Sequence, residues 1–169
     1  MKFYALLFVV ILFAACDSKS KKEKEIEAIS MDVKTVRFDK EFAAASVQDI
    51  PKLKKQYPQF FPKQFADSIW AQRIQDTLQQ QLDAEVAKKF PDNSEIEEQL
   101  IPLFQHIQYY FPEFTAPTVF TVTSDVDYNN KVIVTDTMLV VALDTYLGSD
   151  HHFYEGIQQY ISKDLKSSQ

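Results

Sequence analysis

The chain has 169 residues and a net charge of −6, with 14 phenylalanines and 8 tyrosines but only two glycines and one cysteine. An acidic chain lacks the basic patch that nucleic acids require, so we expect no nucleic-acid partner. With glycine only at Gly148 and Gly156, neither a P-loop nor a dinucleotide-binding fingerprint can be written. The sequence also lacks CxxC, HExxH and GxSxG motifs, and we expect neither a cofactor nor a catalytic residue.

The first residues predict export and lipidation. An apolar run from Phe3 to Ala15 is too short to cross a hydrocarbon core of ~30 Å, but has the length of a signal-peptide core and ends in small residues. Residues 12–16, LFAAC, resemble a bacterial lipobox, although Phe13 stands where leucine is usual. We therefore predict a lipoprotein signal peptide over 1–15 and acylation of Cys16, for example with palmitate. An uncleaved anchor and ordinary secretion are the alternatives.

A charged segment follows the cysteine. Residues 17–27 read DSKSKKEKEIE and contain almost no apolar side chain that could offset the entropy of ordering. We interpret 16–28 as the lipidated cysteine and a flexible tether, with a solvated helix as the alternative. Two or three acyl chains anchor a protein firmly, so the membrane is the expected partner of this end of the chain.

The remaining residues, 29–169, are expected to form a single α+β domain. Residues 29–38 alternate like a strand. Pro51 marks a helix start, and that helix should stop before Pro58. A further helix should carry an apolar stripe; its members are Ile74, Leu78, Leu82 and Val86.

A long helix is predicted from Ser94, where the spacing to Glu97 fits a capping box. It should run to residue 111, and Pro102 within it should kink or split it. Pro112 closes the segment.

The last third of the chain favours strands, which we predict over 118–123, 131–135 and 138–143. The turns between them, DYNN at 127–130 and DT at 136–137, suggest an antiparallel meander. A short helix is expected over 156–165. The predicted fold class is therefore α+β, with N-terminal helices packed on a small antiparallel sheet.

Three groups of residues are candidate sites. His151 and His152 lie beside Asp150, but adjacent histidines rarely bind one ion, so a metal site would also need His106 or a distant acid. We favour a solvated turn for the pair, and for His106 a hydrogen bond to a backbone carbonyl. Asp144, after an apolar strand, is expected to cap the next turn, and a functional residue at the strand end is the alternative.

Part of a calcium-loop pattern lies at residues 125–129, in the order Asp125, Asp127 and Asn129. A calcium loop needs glycine at its sixth position and glutamate at its twelfth, and here these positions hold Asn130 and Asp136. We therefore favour a turn over a calcium site.

Three segments together resemble the gliding-motility lipoprotein GldB family of the Bacteroidetes: LFQHIQYYFPEF at 103–114, PTVFTVTS followed by DY within 117–128, and LDTYLGSDHHFY at 143–154. The resemblance spans 100–161. The positions that carry it are His106, Tyr109, Tyr110, Phe111, Pro112, Pro117, Asp144, Tyr146, Leu147, Gly148, Asp150 and Tyr154.

The resemblance implies a cell-envelope lipoprotein that is required for gliding motility and works with other proteins of the gliding machinery. It also implies a fold distantly similar to zincin proteases, in which MLVVALD at 138–144 would be the edge strand. Family members are considerably longer, so we expect a fold that is incomplete and truncated at the C-terminus.

A non-catalytic, lipid-anchored component is the function that these features favour. The alternatives are an envelope zinc-dependent hydrolase or its inactive relative, using His106, His151 or His152, and a surface lipoprotein that binds a ligand. The sequence does not distinguish inner from outer membrane.

Overall fold

The computed structural model describes residues 19–166, so the predicted signal peptide and Cys16 lie outside the described residues. Contacts divide the described chain into two compact units, one of residues 19–32 and 100–115, the other of residues 33–99 and 116–166. The single domain expected over residues 29–169 stays a prediction. Among residues 19–166, no helix is both long and apolar enough to cross a bilayer.

The first unit contains a helix in the segment that we expected to be a flexible tether. Helix α1 is Lys21–Glu27, and the Ser20 hydroxyl caps it by accepting a hydrogen bond from the Glu23 N–H (3.1 Å). Ile26 is 1% exposed. Burial of this single apolar side chain explains why the charged segment is ordered, so the tether interpretation is wrong from residue 21 onward and the helical alternative is correct.

The helices of the second unit are α2 Phe38–Ala43, α3 Ile50–Gln56, α4 Asp67–Gln75, α5 Thr77–Lys89 and α7 Gln159–Ser162. Helix α6, Ser94–Tyr110, begins in this unit, and its residues from Leu100 belong to the first. It is continuous through Pro102, so the helix is not split there, and the alternative expectation of a kink stays a prediction. As predicted, α3 has a proline in its first turn and ends before Pro58.

The predicted apolar stripe is interrupted because Asp76 ends α4 and starts α5. Its carboxylate accepts the Gln79 N–H (2.9 Å), which caps the new helix. Leu82 and Val86 are buried as expected, but Leu78 is 66% exposed. Leu78 lies in the first turn of α5, on the same helix as Leu82 and Val86, so this part of the stripe is buried only from the second turn onward.

The sheet contains β1 Thr35–Val36, β2 Thr118–Val122, β3 Val132–Val134 and β4 Met138–Ala142, in the order β1-β2-β4-β3. Strand β2 is parallel to both β1 and β4, and only β3 and β4 are antiparallel. The α+β class is confirmed, whereas the antiparallel meander is wrong for two of these pairings. Strand β4 is internal, so it is not the edge strand that the family resemblance suggested.

An aromatic core covers one face of the sheet. It consists of Phe38, Phe42, Leu53, Tyr57, Phe61, Phe120 and Val140. Many rings meet edge-on, for example Phe38 and Tyr57 (centroids 5.1 Å apart), and each such pair contributes ~0.5–1.5 kcal/mol beyond area burial. This layer fixes the position of α2 and α3 on the sheet.

A buried ion pair fastens the start of α2. The Arg37 guanidinium donates to both carboxylate oxygens of Asp39 (2.9 and 2.7 Å) and to the carbonyl oxygens of Phe90 and Asp92 (3.0 and 2.9 Å). Because these carbonyls follow α5, Arg37 ties the end of α5 to the start of α2. The Thr121 hydroxyl also donates to Asp39.

Candidate functional site

The parallel strands β2 and β4 end at the same edge of the sheet, which is where α/β sheets usually bind ligands. Residues 123–131 follow β2, and a 3-10 turn, Leu143–Thr145, follows β4. The family pattern at 143–154 lies at this edge, and it is here that we place the candidate site.

Asp144 organises the edge. Its side chain is fully buried, and its Oδ2 accepts the backbone N–H groups of Ser124 (3.0 Å) and Val126 (2.7 Å). Burial raises the pKa of Asp144, although the two N–H groups act in the opposite direction. The expectation that Asp144 caps the next turn is therefore corrected: it caps the loop after β2, 20 residues earlier in the chain.

The loop that Asp144 holds is strained. Asp125 and Val126 have φ angles of +59° and +58°. A left-handed conformation costs an L-residue ~1–2 kcal/mol and is particularly unusual for a β-branched side chain. Such strain persists only where the surroundings enforce it, and it concentrates at functional sites.

Tyr154 closes the other side of this edge. Its hydroxyl donates to the Asp144 carbonyl (2.7 Å) and accepts the Leu147 N–H (2.9 Å), and burial raises its pKa. Between the two, Gly148 has a φ of +123°, which glycine adopts without the penalty of a side chain. The spacing of this part of the family pattern thus reflects a closed turn.

Helices α4 and α5 supply a second group of polar side chains. Arg73 donates to both carboxylate oxygens of Asp125 (3.0 Å each) and to the Thr123 carbonyl (3.2 Å). Gln79 donates through Nε2 to Asp83 (2.7 Å) and to the Thr123 hydroxyl (2.9 Å). Burial raises the pKa of Asp83, against the effect of these hydrogen bonds.

These elements surround a cleft of about 700 Å³. Its walls are formed by Gln72, Arg73, Asp76, Leu78, Gln79, Leu82, Asp125, Val126, Tyr128, Phe153 and Ile157. Gln79 is 4% exposed, and its buried Oε1 accepts no hydrogen bond within the described part of the chain. A volume of this size, largely apolar walls and an unpaired acceptor are suited to ligand binding.

The charged residues of the cleft already have structural partners. Asp76 caps α5, and Arg73 and Asp125 pair with each other. None of the lining side chains is a serine, cysteine or histidine. The cleft therefore offers hydrogen bonds and apolar contact to a bound molecule.

Sequence reasoning identified Asp144, Gly148 and Tyr154 through the family resemblance but missed Arg73, Gln79 and Asp83. The one available signal was the spacing of Gln79 and Asp83, which places two polar side chains on the same face of a helix. Nothing in the sequence indicates that Arg73 meets Asp125, because 52 residues separate them.

The three histidines belong to two different units and have separate local surroundings. His106 belongs to the first unit, where its Nδ1 donates to the Pro102 carbonyl (2.7 Å), as the sequence interpretation expected. His151 lies in the second unit, where its Nδ1 accepts the Phe153 N–H (3.3 Å), so Nε2 carries the proton and faces Glu85 (3.3 Å). His152 is exposed. Among residues 19–166, no three histidine, cysteine, aspartate or glutamate side chains are close enough to hold a metal ion.

The partial calcium pattern forms a local turn. Asp127 accepts hydrogen bonds from the Asn129 N–H (3.1 Å) and the Asn130 side chain (2.7 Å), while Asp125 is paired with Arg73. The bond from the Asn129 N–H to Asp127 forms an Asx-turn, and the two acidic side chains have separate partners.

The family residues of α6 lie within the first unit and contact α1. His106 faces Glu23 (3.7 Å), the Tyr109 hydroxyl donates to Glu25 (3.3 Å), and the ring of Tyr110 lies below the Lys22 ammonium (4.8 Å). Exposed pairs of this kind contribute little stability each. Together they give α1 a defined position against α6.

The other family positions have varied environments. Phe111 is exposed, Tyr146 is partly buried, which raises its pKa, and Asp150 is exposed. Pro112 lies just after the end of α6, and Pro117 immediately precedes β2. The two prolines therefore mark the ends of elements.

Comparison with known proteins gives one match. The family described as gliding motility protein GldB matches residues 19–169. No curated protein and no solved structure matches the chain. Since the family match covers most of the sequence, including every described residue, the chain belongs to the gliding motility protein GldB family.

Proposed function

We propose that the protein is a lipid-anchored, non-catalytic component of the cell envelope that gliding motility requires. The family match over residues 19–169 is the observation that carries this proposal. The lipobox-like segment ending at Cys16 supports the anchor, because it is an independent feature outside the matched residues.

The position of α1 supports a close attachment to the membrane. Only four residues separate Cys16 from Lys21, where α1 begins, and the five Cα–Cα steps can reach at most ~18 Å. Because α1 is held against α6, the first unit would lie near the lipid surface rather than at the end of a long tether.

The candidate site supports a binding role. Its charged side chains hold structural partners, and the buried polar atom without a partner among the described residues is the amide oxygen of Gln79. An amide oxygen recognises a donor group but does not act as a general base near neutral pH. Binding of a small ligand in this cleft is thus a second candidate function, and a glycan-binding screen of the purified protein tests it.

Gliding assays of chromosomal variants test the proposal. Cys16→Ser is expected to release the protein from the membrane fraction and to abolish gliding. The double variant His151→Ala, His152→Ala is the control, and it is expected to glide normally. Normal gliding by the Cys16→Ser strain contradicts the proposal. A stoichiometric transition metal that is lost from the histidine variant would instead favour the hydrolase.

A further inference from the structure

Strand β3 has an unpaired edge. It lies at the end of the sheet, and within residues 19–166 no strand pairs with its outer side. The Lys131 carbonyl accepts the Ala142 N–H (2.9 Å), and the Thr135 N–H donates to the Met138 carbonyl (2.8 Å). Since backbone groups alternate along a strand, the N–H and C=O groups of Val132 and Val134 point away from β4.

This edge is also unusually apolar. Val132, Ile133 and Val134 are 45%, 48% and 70% exposed, and the strand itself contains no charge and no proline. Natural proteins protect exposed edges with charged residues and prolines, because a bare apolar edge pairs readily with another strand. The composition of β3 therefore favours pairing.

An open cleft of about 380 Å³ lies beside the same edge. Ile133 and Met138 line it from the sheet, and Phe60 and Trp70 line it from the aromatic layer. The indole N–H of Trp70 is buried and has no acceptor among the described residues. A buried donor without a partner costs ~1–3 kcal/mol. An acceptor on a bound molecule, such as a peptide carbonyl, would remove this cost.

We propose that β3 and this cleft bind an extended peptide segment of another protein, which adds to the sheet as a fifth strand. The residue opposite Ile133 would project on the cleft side and should be aliphatic or aromatic, since Phe60 and Trp70 receive it. Its neighbours would meet Val132 and Val134, where β-branched residues pack well.

The charge next to β3 indicates which kind of residue should flank the partner segment. Asp136 follows β3, and the chain carries a net charge of −6. A basic residue opposite Asp136 is therefore favoured, and in an antiparallel pairing it precedes the apolar residues of the partner.

A second copy of this chain fits the edge less well. Two β3 strands could pair through only three residues each, whereas a stable dimer buries ~800 Å² per partner. Three partly exposed aliphatic side chains supply a fraction of that area. Because Lys131 precedes Val132 in a copy as well, the case against a dimer rests on this small area. The occupant is thus a peptide segment of a different protein.

Fluorescence anisotropy with synthetic peptides tests the proposal on the full chain in detergent. The probe is fluorescein-labelled KTVFVT, together with a library in which the flanking residues vary. N-methylation of the two valines removes the N–H groups that would face β3, and should weaken binding ~30-fold. N-methylation of the phenylalanine removes an outward N–H and should have little effect.

Variants of the protein provide the reciprocal test. Val134→Pro removes an outward donor without breaking a bond to β4, so it should weaken binding ~10-fold while the fold is kept. Val134→Thr keeps the donor and is the matched control. Trp70→Phe keeps an aromatic ring at this position but removes the indole N–H, and it should weaken binding ~5-fold.

Several results would overturn the proposal. One is the absence of saturable binding by every library member; another is equal weakening by the two kinds of N-methylation. A third is unchanged binding by Val134→Pro. Sedimentation velocity that detects a dimer which Val134→Pro dissociates would assign the edge to self-association instead.

Discussion

Removing the Asp144 side chain tests how the candidate site is built. In Asp144→Ala, the backbone N–H groups of Ser124 and Val126 lose the Oδ2 atom that accepts both of them. Asp144→Asn is the matched control. Because a single oxygen accepts both donors, the amide oxygen of asparagine can take its place, and the amide nitrogen can donate to the Ser124 hydroxyl.

The expected magnitudes differ between the two variants. Each buried donor left without an acceptor costs ~1–3 kcal/mol, so two give ~2–6 kcal/mol. Release of the loop lets Asp125 and Val126 leave the left-handed region, which recovers ~1–2 kcal/mol for each residue that relaxes. We expect a net loss of ~2–3 kcal/mol for Asp144→Ala and less than ~1 kcal/mol for Asp144→Asn.

Thermal unfolding and urea unfolding measure these differences. A loss of ~2–3 kcal/mol lowers Tm by ~5–10 °C in a chain of this size. The pKa of Asp144 is raised in the folded protein, so its contribution to stability is present at acidic pH and is lost as the pH rises through the folded pKa. Asparagine does not titrate, so Asp144→Asn should gain stability relative to the wild type as the pH increases.

Equal destabilisation by the two variants would refute this reasoning. That result would show that the negative charge, rather than the acceptor oxygen, holds the loop. A pH dependence of the opposite sign would refute the burial argument, since it would mean that the fold stabilises the ionised carboxylate.

Three further variants test other contacts by urea unfolding. Tyr154→Phe leaves the Leu147 N–H and the Asp144 carbonyl without their partner and should cost ~1–3 kcal/mol; no measurable change would show that the closed turn does not depend on the hydroxyl. Val126→Gly relieves ~1–2 kcal/mol of left-handed strain against ~0.5–1 kcal/mol of added chain entropy, so a small stabilisation is expected, and a clear loss would contradict it. Arg37→Lys cannot reproduce the bidentate pair and two carbonyl contacts and should cost ~2–3 kcal/mol, whereas a neutral result would mean that charge alone suffices.

The strands of the second unit could be located from sequence because their signals are local. Strands β2, β3 and β4 differ from the predicted ranges by only a residue at either end. Their pairing could not be obtained in this way. The turn-forming residues after β2 suggest a hairpin, but Asp144 draws this loop away, and β2 pairs in parallel with β4. The contact that holds this loop joins residues 18 positions apart, and no local pattern displays it.

In the N-terminal segments, by contrast, the local signals of the sequence predicted the wrong secondary structure. Residues 29–38 alternate like a strand, but only Thr35–Val36 pair with a neighbour. Residues 21–27 have the composition of a tether, but form a helix because Ile26 is buried and the side chains of α6 supply polar partners for α1. Composition predicts whether a segment can stabilise itself, and it does not reveal a partner elsewhere in the chain.

The candidate site was only partly accessible from the sequence. Asp144 and Tyr154 were found through the family resemblance, but their roles depend on backbone groups that no pattern displays. The histidine pair attracted attention by its rarity, and His151 instead forms a local turn and a contact with Glu85. In this protein, the ends of the parallel strands therefore indicate the position of the candidate site better than the chemical type of a residue does.

Mass spectrometry of the N-terminal peptide from the membrane fraction tests the central claim most directly. The account predicts a mature chain that begins at Cys16, with the masses of acyl chains added to that residue. A Cys16 thiol without modification, in protein recovered from the soluble fraction, would contradict it.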